Sequence, residues 1–280
     1  MRANRLRDLL AEDRPLFGAF LGFPSPRLVE FCGLLGFDWI MFDGEHEGVG
    51  VETCYQLVTA ADAVGVASVV RAPVNRPDVL LGYADTGVSS IIAPHVAGAA
   101  EAAAFVSALR FPPYGTRGAA GGSRAANYGL TQTPPEYFAA VDRHPIPAAL
   151  LEDASAYEQL DAIAATEGLE ICCMGAGDLA ASLGLPGQPG HPRVQALVLP
   201  AIELLRERGI VVNMSVGDAA GATAAVELGA RMIAVSNTAL LGGAARRYLA
   251  TAREAADRAA DRAADRATDR AAGAERAPVG

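Results

Sequence analysis

Eight apolar runs, each of strand length and each followed by a stretch of helical spacing, constrain this 280-residue chain more than any other feature. They are LFGAFLGF (16–23), FDWIMFD (37–43), ASVVRAP (67–73), SSIIAPHV (89–96), PAALLED (147–153), LEICCMGAG (169–177), IVVNMSVG (210–217) and RMIAVSNT (231–238). A strand that is apolar at nearly every position must be buried on both faces, which a parallel sheet covered by helices provides. Eight strand–helix pairs in one chain of this length predict a (β/α)8 TIM barrel. A doubly wound open sheet is the runner-up, but no Gly-x-Gly-x-x-Gly turn follows the first strand.

Two segments break the rhythm. Residues 112–133, PPYGTRGAAGGSRAANYGLTQT, form a glycine-rich stretch long enough to be a binding loop or lid. The tail DRAADRAADRATDRAAGAERAPVG repeats every four residues and has no apolar stripe to bury. The expected organisation is a catalytic barrel over 1–252 and an Ala/Arg/Asp-rich tail over 253–280, helical or disordered, which extends the last helix.

Composition removes several function classes. A formal net charge of -9 leaves no basic patch to neutralise phosphates, so nucleic acid is not an expected partner. No apolar run approaches the ~20 residues of a membrane span, and the charged N-terminus does not read as a secretory signal. Cys32, Cys54, Cys172 and Cys173 sit in apolar segments without metal-ligand spacing, which suits small core residues in a reducing cytoplasm. All 23 basic residues are arginine, and a chain without lysine cannot form a Schiff base. Any carbanion or enolate chemistry must then use a metal, a cofactor or a hydrogen-bond cradle.

In a barrel of this kind the reactive groups gather where strands end and the βα loops begin. That rule selects Asp43, Glu45 and His46 after the second run, Arg71 in the third, and His95 near the end of the fourth. Glu152 and Asp153 end the fifth run, and Asp178 follows the sixth. A lone carboxylate at a strand end often caps the next helix, but eight charged or titratable groups on one face point to a site. Glu152 and Asp178, from adjacent strands, are an oxygen donor pair suited to Mg²⁺ or Mn²⁺ with waters and a chelating substrate.

GFDWIMFDGEH, VVRAP, FPPYGTRG, LLED and MGAGDLAASLG, in that order, resemble the HpcH/HpaI family of class II, metal-dependent pyruvate aldolases over roughly residues 14–250. The resemblance implies a barrel of the phosphoenolpyruvate/pyruvate type and a metal-dependent carbon–carbon lyase. It would join a pyruvate enolate to an aldehyde through a 4-hydroxy-2-oxo acid, or cleave that product. It further implies that Glu152 and Asp178 hold Mg²⁺, Mn²⁺ or Co²⁺, that Arg71 binds the keto oxygen, and that His46 moves the proton. Asp43 and Asp85 would orient that histidine. The backbone at Gly175, Ala176 and Gly177 would meet the substrate carboxylate, and Arg117, Ser123 and Arg124 would face the aldehyde. A hexamer built from dimers with exchanged C-terminal helices is implied, in which Asp85 could reach a neighbour's site. The chain departs from the family pattern at Leu150, where many relatives have glutamine, and at Ala176 and Ala180, which replace Pro and Ser. These departures surround the site and point to enolate chemistry with an altered second substrate. The alternatives are an enzyme that decarboxylates oxaloacetate and adds the enolate to an acceptor, as macrophomate synthase does, an acyl-CoA lyase, and a barrel without catalysis.

Overall fold

The computed structural model describes residues 4–140 and 144–275. In chain order it contains α1 (Arg5–Ala11), β1 (Leu16–Phe20), α2 (Pro26–Leu34), β2 (Trp39–Asp43), α3 (Val51–Val64), β3 (Ala67–Arg71), α4 (Pro77–Asp85), β4 (Ser90–Ala93) and α5 (Ala99–Leu109). A long connection follows, then α6 (Pro134–Ala140), β5 (Ile146–Leu151), α7 (Ala154–Glu158), α8 (Leu160–Ala164), β6 (Ile171–Met174) and α9 (Ala176–Ser182). The chain continues through α10 (Pro192–Glu207), β7 (Val211–Val216), α11 (Ala219–Glu227), β8 (Met232–Ser236) and α12 (Asn237–Glu275). The strands pair in parallel, in sequence order, and β1 closes on β8, so the sheet is the expected (β/α)8 barrel.

Side-chain alternation explains why the strands read as continuous apolar runs. Along β5, Ile146, Ala148 and Leu150 belong to the cluster inside the barrel, while Ala149 and Leu151 belong to the shell between sheet and helices. Cys173 and Cys172 divide in the same way on β6, as do Ala234 and Ile233 on β8. Both faces are dry, so neither face needs polar residues. Trp39 fills the interior beside Gly18, where an added Cβ would sit 2.3 Å from the indole. The indole N–H donates to the carbonyl of Leu16 at 3.2 Å.

The compact barrel unit runs through Asn237, and the segment from Thr238 forms a second unit. The boundary expected at 252 lies within α12, so the tail does extend the last helix. Residues 276–280 of the tail lie outside the described residues.

A short helix that the strand–helix pattern does not announce closes the end of the barrel where the strands begin. Leu6 and Leu9 of α1 are buried in the interior cluster. Asn4 caps this helix and donates from Nδ2 to the carbonyl of Ser89 and to His144 Nδ1, both at 2.9 Å. Arg7 meets Glu170 at 2.9 and 3.0 Å, and Arg231 donates to the carbonyls of Leu10 and Glu12. Ser89, His144 and Arg231 all precede strands, which places α1 at the N-terminal face.

His144 accepts at Nδ1 and is therefore a neutral ring with its proton on Nε2. Burial, with the charges of Arg117 and Arg7, pushes its pKa down to about 3. That value lies below the ordinary ~6.5 of the unfolded chain, so the unfolded state binds the extra proton. Folding stability is thus complete above about pH 6.5 and is lost as the pH falls toward 3. Denaturant titrations between pH 7.5 and 4.5 should show this residue removing up to roughly 1.4 kcal/mol per pH unit. His144→Gln should flatten the profile by that amount, and identical slopes for the two proteins would rule out a buried neutral ring.

Candidate active site

The opposite face, where the strands end, collects the charge. Strand register sets Asp43 beside Arg71 as paired last residues of β2 and β3. Asp43 is fully buried and takes a two-pronged contact from Arg71, with Nε–H donating to Oδ1 at 2.9 Å and Nη2–H to Oδ2. Burial alone would raise the Asp43 carboxyl, but the guanidinium and the backbone N–H groups of Glu45 and His46 hold it below the usual carboxylate range. The third Arg71 nitrogen, Nη1, lies 3.1 Å from Glu45 Oε2. The loop can fold back this tightly because residue 44 is glycine: an added Cβ would stand 2.9 Å from the Arg71 carbonyl.

Glu45 lies between two imidazoles. His46 Nε2 is 3.7 Å from its Oε2, and His95 Nε2 is 3.6 Å from its Oε1. Both rings are largely exposed at the mouth, with 64% and 61% of their side-chain surface open. Burial alone would lower the His95 pKa, but Asp153, Glu152 and Glu45 outweigh it and leave the pKa raised. Glu152 is 2% exposed, and its Oε1 accepts from the His95 backbone N–H at 2.8 Å. Burial, with the negative charges of Asp178 and Glu45 adding to it, drives the Glu152 carboxyl upward.

A cavity of about 360 Å³ opens in front of these groups. Its floor is apolar, made by Met41, Ile92 and Leu150, and its polar wall includes Arg71, Glu152 and Asp178. Leu150 therefore contributes an aliphatic floor. Asn213 and Ser215 of β7 also line the cavity, and neither was singled out from the sequence. Their signal was present: in IVVNMSVG the two polar residues stand two apart and so share one face of a strand.

Several expected site residues stand elsewhere or are otherwise engaged. Asp43 contacts the backbone of His46, and among the described residues the carboxylate within 4.0 Å of that imidazole is Glu45. Asp85, at the end of α4, pairs with Arg117 at 2.9 Å. Arg117 is buried, donates to the carbonyl of His144 at 3.1 Å and stacks 4.7 Å from the Phe111 ring centre. Arg124 donates to the carbonyl of Thr86 and to Asp62, at 2.8 and 2.7 Å. Ser123 accepts from the backbone N–H of Tyr128 in a turn of the same segment. Residues 112–133 follow a helix rather than a strand, so they fold over the N-terminal face, and one chain does not bring Asp85, Arg117, Ser123 or Arg124 into the cavity. Gly175, Ala176, Gly177 and Asp178 all line it, although the Gly175 N–H is already donated to the carbonyl of Leu151 at 3.0 Å.

Glu152 and Asp178 fit a hard divalent cation. Both offer oxygen, both line one cavity, and Glu152 is buried amid negative charge that a cation would relieve. Among the described residues, no cluster of three or more His, Cys, Asp or Glu side chains is arranged to hold a metal.

Comparison with known proteins agrees with this fold. The family model described as HpcH/HpaI aldolase/citrate lyase matches residues 16–241. The chain is 34% identical to a pyruvate aldolase of Rhizobium etli over 232 residues, 83% of this chain and 90% of that one. It is 37% identical to a 4-hydroxy-2-oxovalerate aldolase of Rhodococcus jostii over 207 residues, 74% of this chain and 79% of the relative. A crystal structure of a family protein from Burkholderia cenocepacia superposes with a TM-score of 0.84 at 30% identity, covering 90% of this chain and 100% of that one.

The polypeptide at the end of β6 presses on Glu152: a Cβ added at Gly175 would lie 2.5 Å from the Glu152 Cβ, whereas nothing lies within 4 Å of one added at Gly177. Gly175→Ala should therefore destabilise the protein by roughly 1–3 kcal/mol in denaturant unfolding. Gly177→Ala, in the first turn of α9, should be neutral or slightly stabilising. Equal effects from the two substitutions would show that this contact does not constrain Glu152.

Proposed function

The chain belongs to the HpcH/HpaI aldolase/citrate lyase family, and on that premise we propose that it is a metal-dependent carbon–carbon lyase. It is a class II aldolase that joins the enolate carbon of pyruvate to an aldehyde, or releases both from a 4-hydroxy-2-oxo acid. The observation that carries this function is one cavity in which a fixed guanidinium, Arg71, faces two carboxylates, Glu152 and Asp178. The aldolase names of the relatives favour this reaction over decarboxylation of oxaloacetate followed by enolate addition.

Bound by Glu152 and Asp178, Mg²⁺, Mn²⁺ or Co²⁺ would supply Lewis-acid stabilisation of negative charge on the keto oxygen. The chain contains no lysine for the Schiff-base alternative. Arg71, its plane fixed by Asp43 on one edge and Glu45 on another, hydrogen-bonds to the same oxygen, and as a preorganised donor it needs no reorientation when charge develops there. His46, exposed at the mouth, takes up or delivers the proton, directly or through water. The N–H groups of Ala176 and Gly177 open α9 toward the cavity and meet the substrate carboxylate. Leu150 and Ile92 offer no hydrogen bonds, so the floor suits the apolar face of a small 2-oxo acid.

Asp85, Arg117, Ser123 and Arg124 can contribute to an active site only through a second copy of the chain, which accords with a hexamer, or trimer of dimers, as the working assembly. Four buried free cysteines accord with a cytoplasmic setting.

Exchange of the pyruvate methyl protons for deuterium tests the proposal without knowledge of the aldehyde. Metal-stripped protein should show none, Mg²⁺, Mn²⁺ or Co²⁺ should restore it, and Glu152→Ala should stay at background in every metal. Exchange by the stripped protein would remove the metal from the mechanism. Absence of exchange in the metal-loaded protein would sink the aldolase assignment; where exchange is seen, product analysis with an aldehyde panel identifies the acceptor.

A further inference from the structure

His95 has no part in the mechanism above, yet its backbone is unusual and its contacts converge on the site. It adopts φ 52°, the left-handed region, which costs a residue with a side chain about 1–3 kcal/mol unless its surroundings hold it there. The twist follows directly on Ala93 and Pro94 at the end of β4 and turns the His95 N–H onto Glu152 Oε1 at 2.8 Å. The imidazole lies against the same carboxylate, with Nδ1 3.3 Å from that oxygen and 3.2 Å from Asp153 Oδ2. Its other nitrogen stands 3.6 Å from Glu45, on the loop after β2. One residue thus links carboxylates from two separate βα loops across the mouth.

A glutamate carboxylate has little intrinsic preference about its last torsion, so its hydrogen-bond partners set its orientation. Among the described residues, the Glu152 carboxylate takes its hydrogen bond from the His95 backbone N–H, and the imidazole Nδ1, 3.3 Å from the same oxygen, is the side-chain contact that holds it from a second direction. Both His95 contacts fall on Oε1, which leaves Oε2 as the oxygen free for a ligand. We propose that His95 is a positioning residue that fixes Glu152 through Oε1 and so presents Oε2 to a divalent cation in the cavity. This inference rests on the metal-dependent reading above and adds a residue to it that acts only through Glu152.

Titration of metal-stripped protein with Mn²⁺, followed by calorimetry or by the spin resonance of free Mn²⁺, tests it independently of turnover. Glycine accepts the left-handed backbone and keeps the N–H, so His95→Gly removes only the imidazole. It should weaken Mn²⁺ binding by roughly 10–100-fold, the usual cost of losing a partner of a metal ligand. Asparagine also tolerates this backbone, and its Nδ2 stands where the imidazole Nδ1 does, so His95→Asn should recover most of the loss. Thermal melting of the metal-free variants controls for folding. Wild-type affinity in His95→Gly, or no recovery in His95→Asn, overturns the proposal. If the wild-type protein binds Mn²⁺ no better than Glu152→Ala does, the metal reading itself falls, and this inference with it.

Discussion

The pair between Asp43 and Arg71 organises the catalytic end of the barrel. Parallel register makes them neighbours without any loop rearrangement, because each is the last residue of its strand. A buried carboxylate alone is costly, and so is a guanidinium with only 11% of its side chain exposed. Their two-pronged contact offsets both costs and fixes the guanidinium plane at the same time. Glu45 then closes on the free nitrogen of Arg71, and through Glu45 the two imidazoles at the mouth, His46 and His95, are brought within reach of the same frame. A lysine at position 71 would keep the charge but lose the planar fork that holds Asp43 and Glu45 together.

The two ends of the barrel use similar residue types to different ends. At the N-terminal face the charged groups are matched: Arg117 with Asp85, Arg124 with Asp62, Arg7 with Glu170. Those pairs anchor α1 and the glycine-rich connection to the barrel. At the C-terminal face Glu45, Glu152, Asp153 and Asp178 outnumber the cations, since Arg71 is already balanced by Asp43. Unbalanced charge beside a cavity is where ligand chemistry is expected, and matched charge is where structure is expected. That contrast marks the C-terminal face, and not the N-terminal one, as the place for ligand chemistry.

Much of the fold was legible because burial on both faces leaves an unmistakable pattern, and all eight runs became strands. The ends were less legible. SSIIAPHV was read as a strand to 96, but β4 stops at Ala93 because Pro94 cannot donate to a sheet ladder and His95 turns left-handed. LEICCMGAG was read as a strand to 177, yet its last residues begin α9. The plug α1 escaped notice because seven residues with two buried leucines carry too little periodicity to register. Asp43, Arg71, Glu152 and Asp178 could be found from strand ends alone. The N-terminal location of Arg117 and Arg124 could have been found too, since a segment between α5 and β5 must lie at the end where strands begin. Sequence spacing gave no hint that His95 would bind Glu152, because that contact depends on a backbone twist and on strand neighbours far apart in the chain.

The charge balance at the mouth bears directly on the proposed cation. A 2-oxo acid is an anion, and an anion entering this cavity meets Glu152 and Asp178 on the wall, with Glu45 and Asp153 close behind. Arg71 offers directional hydrogen bonds, but most of its charge is already spent on Asp43. The N–H groups that open α9 contribute only partial charge. Repulsion by carboxylates in a partly desolvated site is stronger than in water, so in the reading proposed here these carboxylates oppose the entry of a 2-oxo acid. A divalent cation between Glu152 and Asp178 would reverse the sign of the wall and lower the cost of burying Glu152 at once. In the reading proposed here, the buried negative charge that weakens the empty site is therefore what makes substrate binding depend on the metal.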